Sequence, residues 1–167
     1  SYCNPNSTNK QKTKEYKVVN FLKENKIKFI HDKSIGYAYG NYRPDILIDM
    51  KTHHVIVEID ENQHKQYDKS CEISRMLNIH TAQGVKCVFI RYNPDSCRID
   101  GKSKRPKERL DILLKEVKKN MENIPKDEIT VYRLFYDCEE DEYVVKYDIG
   151  NESMKMMENM KNISIMK

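Results

Sequence analysis

The sequence predicts an α/β domain with a mixed central β-sheet flanked by helices. Segments with helical spacing of apolar residues alternate along the chain with short apolar runs typical of strands. Two of these runs, 45–50 and 54–60, are joined by only three residues, so they form an antiparallel hairpin. A third run, 85–92, is apolar almost throughout, as expected of a central strand buried on both faces.

The first half of the chain supplies a helix and three strands. A helix is predicted from about Lys10 to Asn25, where apolar side chains recur at helical spacing among Lys and Glu: Tyr16, Val19, Phe21 and Leu22. Residues 27–32 form a short strand candidate. Residues 36–44 are punctuated by glycines and predict a loop that leads into the hairpin.

The second half alternates helix and strand. A helix over about 62–83 ends near Gly84, which suits a C-cap. The central strand 85–92 follows, and a further amphipathic helix covers about 106–122. The segment GKSKRPK at 101–107, called the basic loop below, precedes that helix.

The chain divides into three predicted regions. Residues 1–9 are expected to be a flexible segment, 10–124 a core domain, and 125–167 an appended β-hairpin and terminal helix. The hairpin strands are 128–137 and 142–149. Two roles stay open for this tail, completing the domain or mediating association such as a homodimer. The chain could also be fused to further domains in a longer protein.

Composition restricts the function classes. Charged residues make up 34% of the chain, yet the net charge is only +4, which permits nucleic-acid binding without requiring it. No apolar run approaches the roughly 20 residues of a membrane-spanning helix, and the N-terminus lacks a signal-peptide core. We therefore expect an intracellular protein that is neither secreted nor membrane-bound. The five cysteines show no C-x-x-C spacing, so buried or incidental thiols are expected.

The hairpin ends in carboxylates. Asp45 opens one strand and Glu58 lies near the end of the other, so antiparallel pairing brings both to the same end of the sheet. With the main-chain carbonyl of Ile59 they form a hard-oxygen site suited to Mg²⁺ or Mn²⁺. The carboxylates are tolerated there because a metal ion would neutralise them.

These residues carry a family resemblance. RPDILIDM followed by VIVEID resembles the Pro-Asp…Glu-x-Lys motif of the restriction-endonuclease-like nuclease superfamily, with Pro44 and Asp45 as the first element and Glu58 to Asp60 as the second. This sequence departs from that motif at Asp60, which stands where the superfamily usually has lysine.

A second part of the resemblance involves a histidine. ENQH, ending in His64, and CEISRM, with Glu72 and Arg75, resemble very-short-patch repair endonucleases and E-D-x-H-D homing endonucleases, and Glu15 matches their leading acidic residue. VEIDENQH and FIRYNPD are also similar to blocks in predicted nucleases of large DNA viruses and algae. The resemblance covers roughly residues 10–122.

The resemblance implies a restriction-endonuclease-like core and a metal-dependent DNA endonuclease that nicks or cuts both strands. Asp45 and Glu58 would hold the metal ion, and His64 would act as general base or as proton donor to the leaving oxygen. If the protein is viral, the cytoplasm or nucleus of a host cell is its expected location. The alternative is a DNA-binding module that has lost turnover, because the lysine is missing.

Several assignments leave alternatives open. Asp60 fits a turn or helix cap as well as a metal or water contact. Glu72 could orient a helix partner or the His64 ring, or form an ion pair with Arg75. Glu15 could be an exposed helix charge. Four other histidines have no spacing that recommends them: His31, His53, His54 and His80.

Basic residues near the motifs are expected to neutralise backbone phosphates of DNA. Phosphate contacts position a nucleic acid without reading its sequence, so the target is not predicted. Tyr42 is expected to stack on the nucleic acid. The predicted phosphate contacts are Arg43, Arg75, Arg91, Lys102, Lys104, Arg105 and Lys107.

Overall fold

The computed structural model describes residues 9–32, 42–61, 69–98, 101–136 and 143–147. Within these residues the chain forms three helices and six strands. In chain order they are α1 (Asn9–Glu24), β1 (Ile30–His31), β2 (Ile46–Asp49), β3 (His53–Ile59), α2 (Lys69–Gln83), β4 (Lys86–Tyr92), α3 (Pro106–Glu122), β5 (Ile129–Leu134) and β6 (Val144–Tyr147).

All six strands belong to one sheet, and their spatial order is their chain order. β1, β2 and β3 are antiparallel neighbours, β3, β4 and β5 are parallel, and β6 is antiparallel to β5. The predicted α/β class with a mixed sheet is confirmed.

The predicted hairpin is present because its connection is too short for any other pairing. Lys51 adopts a positive φ of 66°, and the Met50 N–H donates to the His53 carbonyl at 3.0 Å, which closes the turn. Beyond it, Ile46 pairs with Val57. This register fixes which residues meet at the far end of the hairpin.

The C-terminal hairpin continues the same sheet. β5 pairs in parallel with β4, from Cys87 opposite Ile129 onwards, and β6 lies outside it. The sheet therefore continues past the boundary expected near residue 125. The division into a core domain and an appended tail, and the role of the tail, stay predictions. The predicted terminal helix lies outside the described residues.

The helices cover both faces of the sheet. α1 and α3 pack on one face, with a core that includes Val18, Leu22, Val57, Ile90 and Leu113. α2 packs on the other face, with a core that includes Ile56, Ile73, Met76, Ile79 and Phe89. Because side chains alternate along a strand, Glu58 falls on the α2 face together with Ile56.

Two further sequence expectations concern membranes and thiols. No helix in the described part of the chain is long and apolar enough to cross a membrane. Cys87 and Cys97 are buried thiols, as expected, and burial raises the pKa of Cys87 to about 12. The expectation is wrong for Cys71, which is disulfide-bonded. Spacing along the chain does not report which thiols meet in space.

Candidate active site

Asp45 and Glu58 converge as the hairpin predicts. Asp45 directly precedes β2, and the pairing of Ile46 with Val57 places Asp45 opposite Glu58. The Asp45 backbone N–H donates to Glu58 Oε2 at 3.3 Å, and the Ile59 N–H donates to Asp45 Oδ2 at 2.7 Å. Glu58 is only 5% exposed. We call Asp45 and Glu58 the carboxylate pair.

The surroundings of the carboxylate pair disfavour the ionisation of both carboxyl groups. Burial and the negative charge of Glu58 raise the pKa of Asp45 well above its ordinary value, and Glu15 and Asp60 add to the shift. The Ile59 N–H opposes it. Two carboxylates in a poorly hydrated site resist ionising together, and a bound cation would relieve that repulsion.

The donor set fits a hard divalent cation with few protein ligands. Among the described residues, no group of three or more His, Cys, Asp and Glu side chains could hold a metal ion. Two carboxylates are hard oxygen ligands of the kind that Mg²⁺ accepts together with water, and the metal ion itself stays a prediction. Ile59, next to Glu58, stays the predicted main-chain ligand.

Arg75 joins the two segments that carry the carboxylate pair. Its Nη2 lies 3.2 Å from Glu58 Oε1 and donates to the Arg43 carbonyl at 2.8 Å. Arg75 stands on α2, which covers this face of the sheet. The side chain thus partly neutralises Glu58 and ties the strand that carries it to the approach to Asp45.

Asp60 belongs to a separate buried group. Asp60 is 1% exposed, and its Oδ2 accepts from Arg91 Nε at 2.6 Å and from the Tyr136 hydroxyl. Arg91 Nη2 also donates to Glu72 Oε1 at 3.1 Å. We call Asp60, Glu72, Arg91 and Tyr136 the buried arginine network. Asp60 therefore serves as an interior ion-pair partner, and its turn, cap and metal interpretations stay predictions.

The members of the buried arginine network stabilise one another's charge states. Burial lowers the pKa of Arg91, but Asp60, Tyr136 and Glu72 outweigh it and raise that pKa well above its ordinary value. Burial and the neighbouring Asp60 raise the pKa of Tyr136. Arg91 therefore stays a cation and Tyr136 a neutral donor.

Arg91 does not present its charge at the surface, contrary to the sequence-based expectation. It is 3% exposed and sits between Asp60 and Glu72. β4 is a central strand, and α2 covers the face on which Arg91 stands opposite Glu58. A phosphate contact by Arg91 is wrong for this conformation, because its donors are engaged inside the protein. The Glu72 carboxylate likewise faces the sheet, where it accepts a hydrogen bond from Arg91.

Glu15 and His31 form a pair near the carboxylate pair. Glu15 Oε1 lies 2.6 Å from His31 Nε2, and the Tyr16 and His31 rings pack in a T-shaped arrangement with centroids 5.5 Å apart. The charge of Glu15 also acts on Asp45, so Glu15 is more than an exposed helix charge.

Sequence reasoning missed His31 and Tyr136. His31 pairs with Ile46 across β1 and β2, one residue from Asp45, so extending the predicted hairpin by one strand would have found it. Tyr136 reaches Asp60 across 76 residues of sequence, and no local pattern signals that contact.

The basic loop lies at the same end of the sheet as the carboxylate pair. Arg109, in the first turns of α3, donates to the carbonyls of Pro94 and Asp95, which follow the carboxyl end of β4. At the other end of α3, the Asn120 carbonyl lies 2.6 Å from His53 Nε2 at the start of β3. α3 therefore directs its positive N-terminus toward the edge that carries Glu58.

The predicted phosphate contacts differ in exposure. Four of them are exposed: Arg43, Lys102, Arg105 and Lys107. Lys104 lies over the Tyr143 ring at 5.3 Å, and Tyr42 is partly buried. Their contact with DNA stays a prediction.

His64, the predicted proton carrier, falls in 62–68, which lies outside the described residues. Its role therefore stays a prediction.

In comparisons with known proteins, the chain matches no protein-family model, no curated protein and no solved structure.

Proposed function

We propose that the protein is a divalent-metal-dependent DNA endonuclease that hydrolyses phosphodiester bonds at the carboxylate pair. The observation that carries this proposal is the convergence of Asp45 and Glu58, with the Asp45 N–H 3.3 Å from Glu58 Oε2, at the sheet edge toward which α3 points. The antiparallel order β1-β2-β3 followed by parallel β4 is compatible with the nuclease core that the motif resemblance implies.

The carboxylate pair and the Ile59 carbonyl would hold Mg²⁺ or Mn²⁺, which supplies polarisation of the phosphate and a bound water of lowered pKa. The Ile59 N–H fixes one oxygen of Asp45, so that carboxylate is oriented before any ligand arrives. Arg75 holds Glu58 in the same way. His64 is the proposed general base, or the proton donor to the leaving oxygen.

DNA is the proposed substrate, and recognition is proposed to act mainly through its backbone. The exposed basic loop and Arg43 would neutralise phosphates on either side of the cut. A homing-type or repair-type endonuclease agrees with the motifs that end in His64. Whether one strand or both are cut is decided by the assay below.

A second candidate function is DNA binding without turnover. It is favoured by Asp60, which replaces the superfamily lysine and is engaged inside the buried arginine network. Such a protein would bind DNA through the basic loop and leave it intact with any divalent ion. The same assay separates the two functions.

The test is incubation of supercoiled plasmid with the protein in Mg²⁺, in Mn²⁺ and in EDTA. We expect nicked or linear products that require the divalent ion. Asp45→Ala and Glu58→Ala should abolish cleavage, while Asp111→Ala, which removes an exposed carboxylate on α3, should retain it. Equal cleavage by Asp45→Ala, with matching circular dichroism, would contradict the site. Intact plasmid that is nevertheless bound would favour the second candidate.

A further inference from the structure

The guanidinium of Arg75 is held in place from two sides. Its Nη2 contacts Glu58 Oε1 at 3.2 Å and the Arg43 carbonyl at 2.8 Å. These contacts belong to the two chain segments that carry the carboxylate pair. A planar guanidinium fixed through one nitrogen also has a fixed direction for its other donors.

The second terminal nitrogen of Arg75 has no hydrogen-bond partner among the residues that the structure describes. Nη1 is buried, and in the described part of the chain it donates to no acceptor. A buried donor left unpaired costs about 1–3 kcal/mol, and more when the group is charged. Nη1 is therefore a preorganised donor beside the carboxylate pair, and an anion that enters the site would satisfy it.

Two other cationic side chains, Arg91 and Lys14, already form ion pairs with acidic residues. Arg91 is enclosed between Asp60 and Glu72, so two carboxylates offset its charge. Lys14 is paired with two acidic side chains beyond the carboxylate pair. Among the described residues, Arg75 has one carboxylate partner, Glu58, which a metal ion would share.

We propose that Arg75 is a catalytic residue that donates from Nη1 to a non-bridging oxygen of the scissile phosphodiester. This inference rests on the proposed function. As water attacks phosphorus, a new P–O bond forms and one P–O ester bond breaks. The attacking water gives up a proton, the departing ester oxygen takes up a proton and leaves as a hydroxyl group, and Arg75 keeps all its protons. Negative charge increases on the non-bridging oxygens, and a preoriented guanidinium stabilises it more in the transition state than in the ground state.

The first test is single-turnover cleavage of DNA by Arg75→Gln and Arg75→Lys, with each protein in saturating excess over the DNA. We expect Arg75→Gln to slow cleavage by about 10²–10³-fold, the usual effect of removing one such donor, and Arg75→Lys to fall between it and wild type. Lys118→Gln, which removes an exposed charge near the far end of α3, should cleave like wild type. If raised Mg²⁺ restores Arg75→Gln to the wild-type rate, Arg75 only holds Glu58 and the inference is overturned.

The second test needs no cleavage. In an Asp45→Asn background and in EDTA, duplex affinity is measured against salt concentration. Adding Arg75→Gln should reduce the slope of log K against log salt by about 0.9, the effect of losing one phosphate contact, whereas adding Lys118→Gln should not. An unchanged slope for Arg75→Gln would overturn the phosphate contact.

The two tests separate this inference from the proposed function. If the wild type cleaves DNA and Arg75→Gln cleaves equally fast, the inference fails and the endonuclease stands. If the wild type cleaves no DNA but the salt slope depends on Arg75, the endonuclease fails and the phosphate contact stands.

Discussion

Asp45→Asn should stabilise the metal-free protein at neutral pH. The asparagine oxygen can still accept the Ile59 N–H, which donates to Asp45 Oδ2 at 2.7 Å in the wild type. What the change removes is a negative charge that faces Glu58 in a poorly hydrated site. A residue placed for chemistry is thus expected to lower stability, a common trade-off at active sites.

The magnitude follows from two opposing effects. Two unit charges about 4–6 Å apart repel by roughly 3–4 kcal/mol at an effective dielectric of about 20. Loss of the charge-assisted hydrogen bond from Ile59 offsets about 1–2 kcal/mol of that gain. A net gain of about 1–3 kcal/mol remains, which corresponds to roughly 2–12 °C in Tm for a chain of this size.

The gain should depend on pH. The folded-state pKa of Asp45 is raised by burial and by Glu58. The protonated carboxyl of Asp45 therefore contributes stability that is fully present below about pH 4, where an unfolded aspartate ionises, and is lost as pH rises through the raised folded pKa. The difference between Asp45→Asn and wild type should be small near pH 4 and largest at neutral pH.

Urea unfolding in EDTA at several pH values measures this difference. Asp111→Asn, which changes an exposed carboxylate on α3, should stay within about 0.5 kcal/mol of wild type at every pH. If Asp45→Asn were less stable than wild type at neutral pH with native circular dichroism, the reasoning about the carboxylate pair would be refuted.

Three more predictions test other parts of the account. The triple alanine variant of Lys102, Lys104 and Arg105 in the basic loop should reduce the slope of log K for DNA against log salt by about 2.7. An unchanged slope would mean that DNA binds elsewhere on the protein. His64→Ala should lower turnover by roughly 10²–10⁴-fold while calorimetric metal affinity stays near wild type, and normal cleavage would remove His64 from the mechanism. Arg91→Ala should destabilise the fold by about 3–5 kcal/mol in urea unfolding, because Asp60 loses its buried counter-charge; a loss below about 1 kcal/mol would mean that the network is solvated.

The placement of the carboxylate pair could be predicted because it depends on local chain geometry. A three-residue connection permits only an antiparallel hairpin, and that pairing alone brings Asp45 opposite Glu58. The apolar run of β4 likewise identifies a central strand. The spacing of apolar residues and the lengths of the connections between elements therefore account for most of the fold.

The role of Asp60 could not be predicted, because it depends on contacts between distant elements. Its partners Arg91 and Tyr136 lie 31 and 76 residues away in sequence. In the sequence, Arg91 is a charged residue inside an apolar strand, and this pattern is as typical of a buried ion pair as of a phosphate contact. Only the position of α2 over that face decides between them.

The central claim is that Asp45 and Glu58 together hold a divalent ion, and Mn²⁺ binding followed by electron paramagnetic resonance tests it most directly. Titrating the protein with Mn²⁺ should deplete the free-ion signal for wild type, and Asp45→Asn or Glu58→Gln should weaken that binding by at least about tenfold. Asp49→Asn, at the other end of β2 and exposed, should bind like wild type. Wild-type Mn²⁺ affinity in both Asp45→Asn and Glu58→Gln would contradict the account.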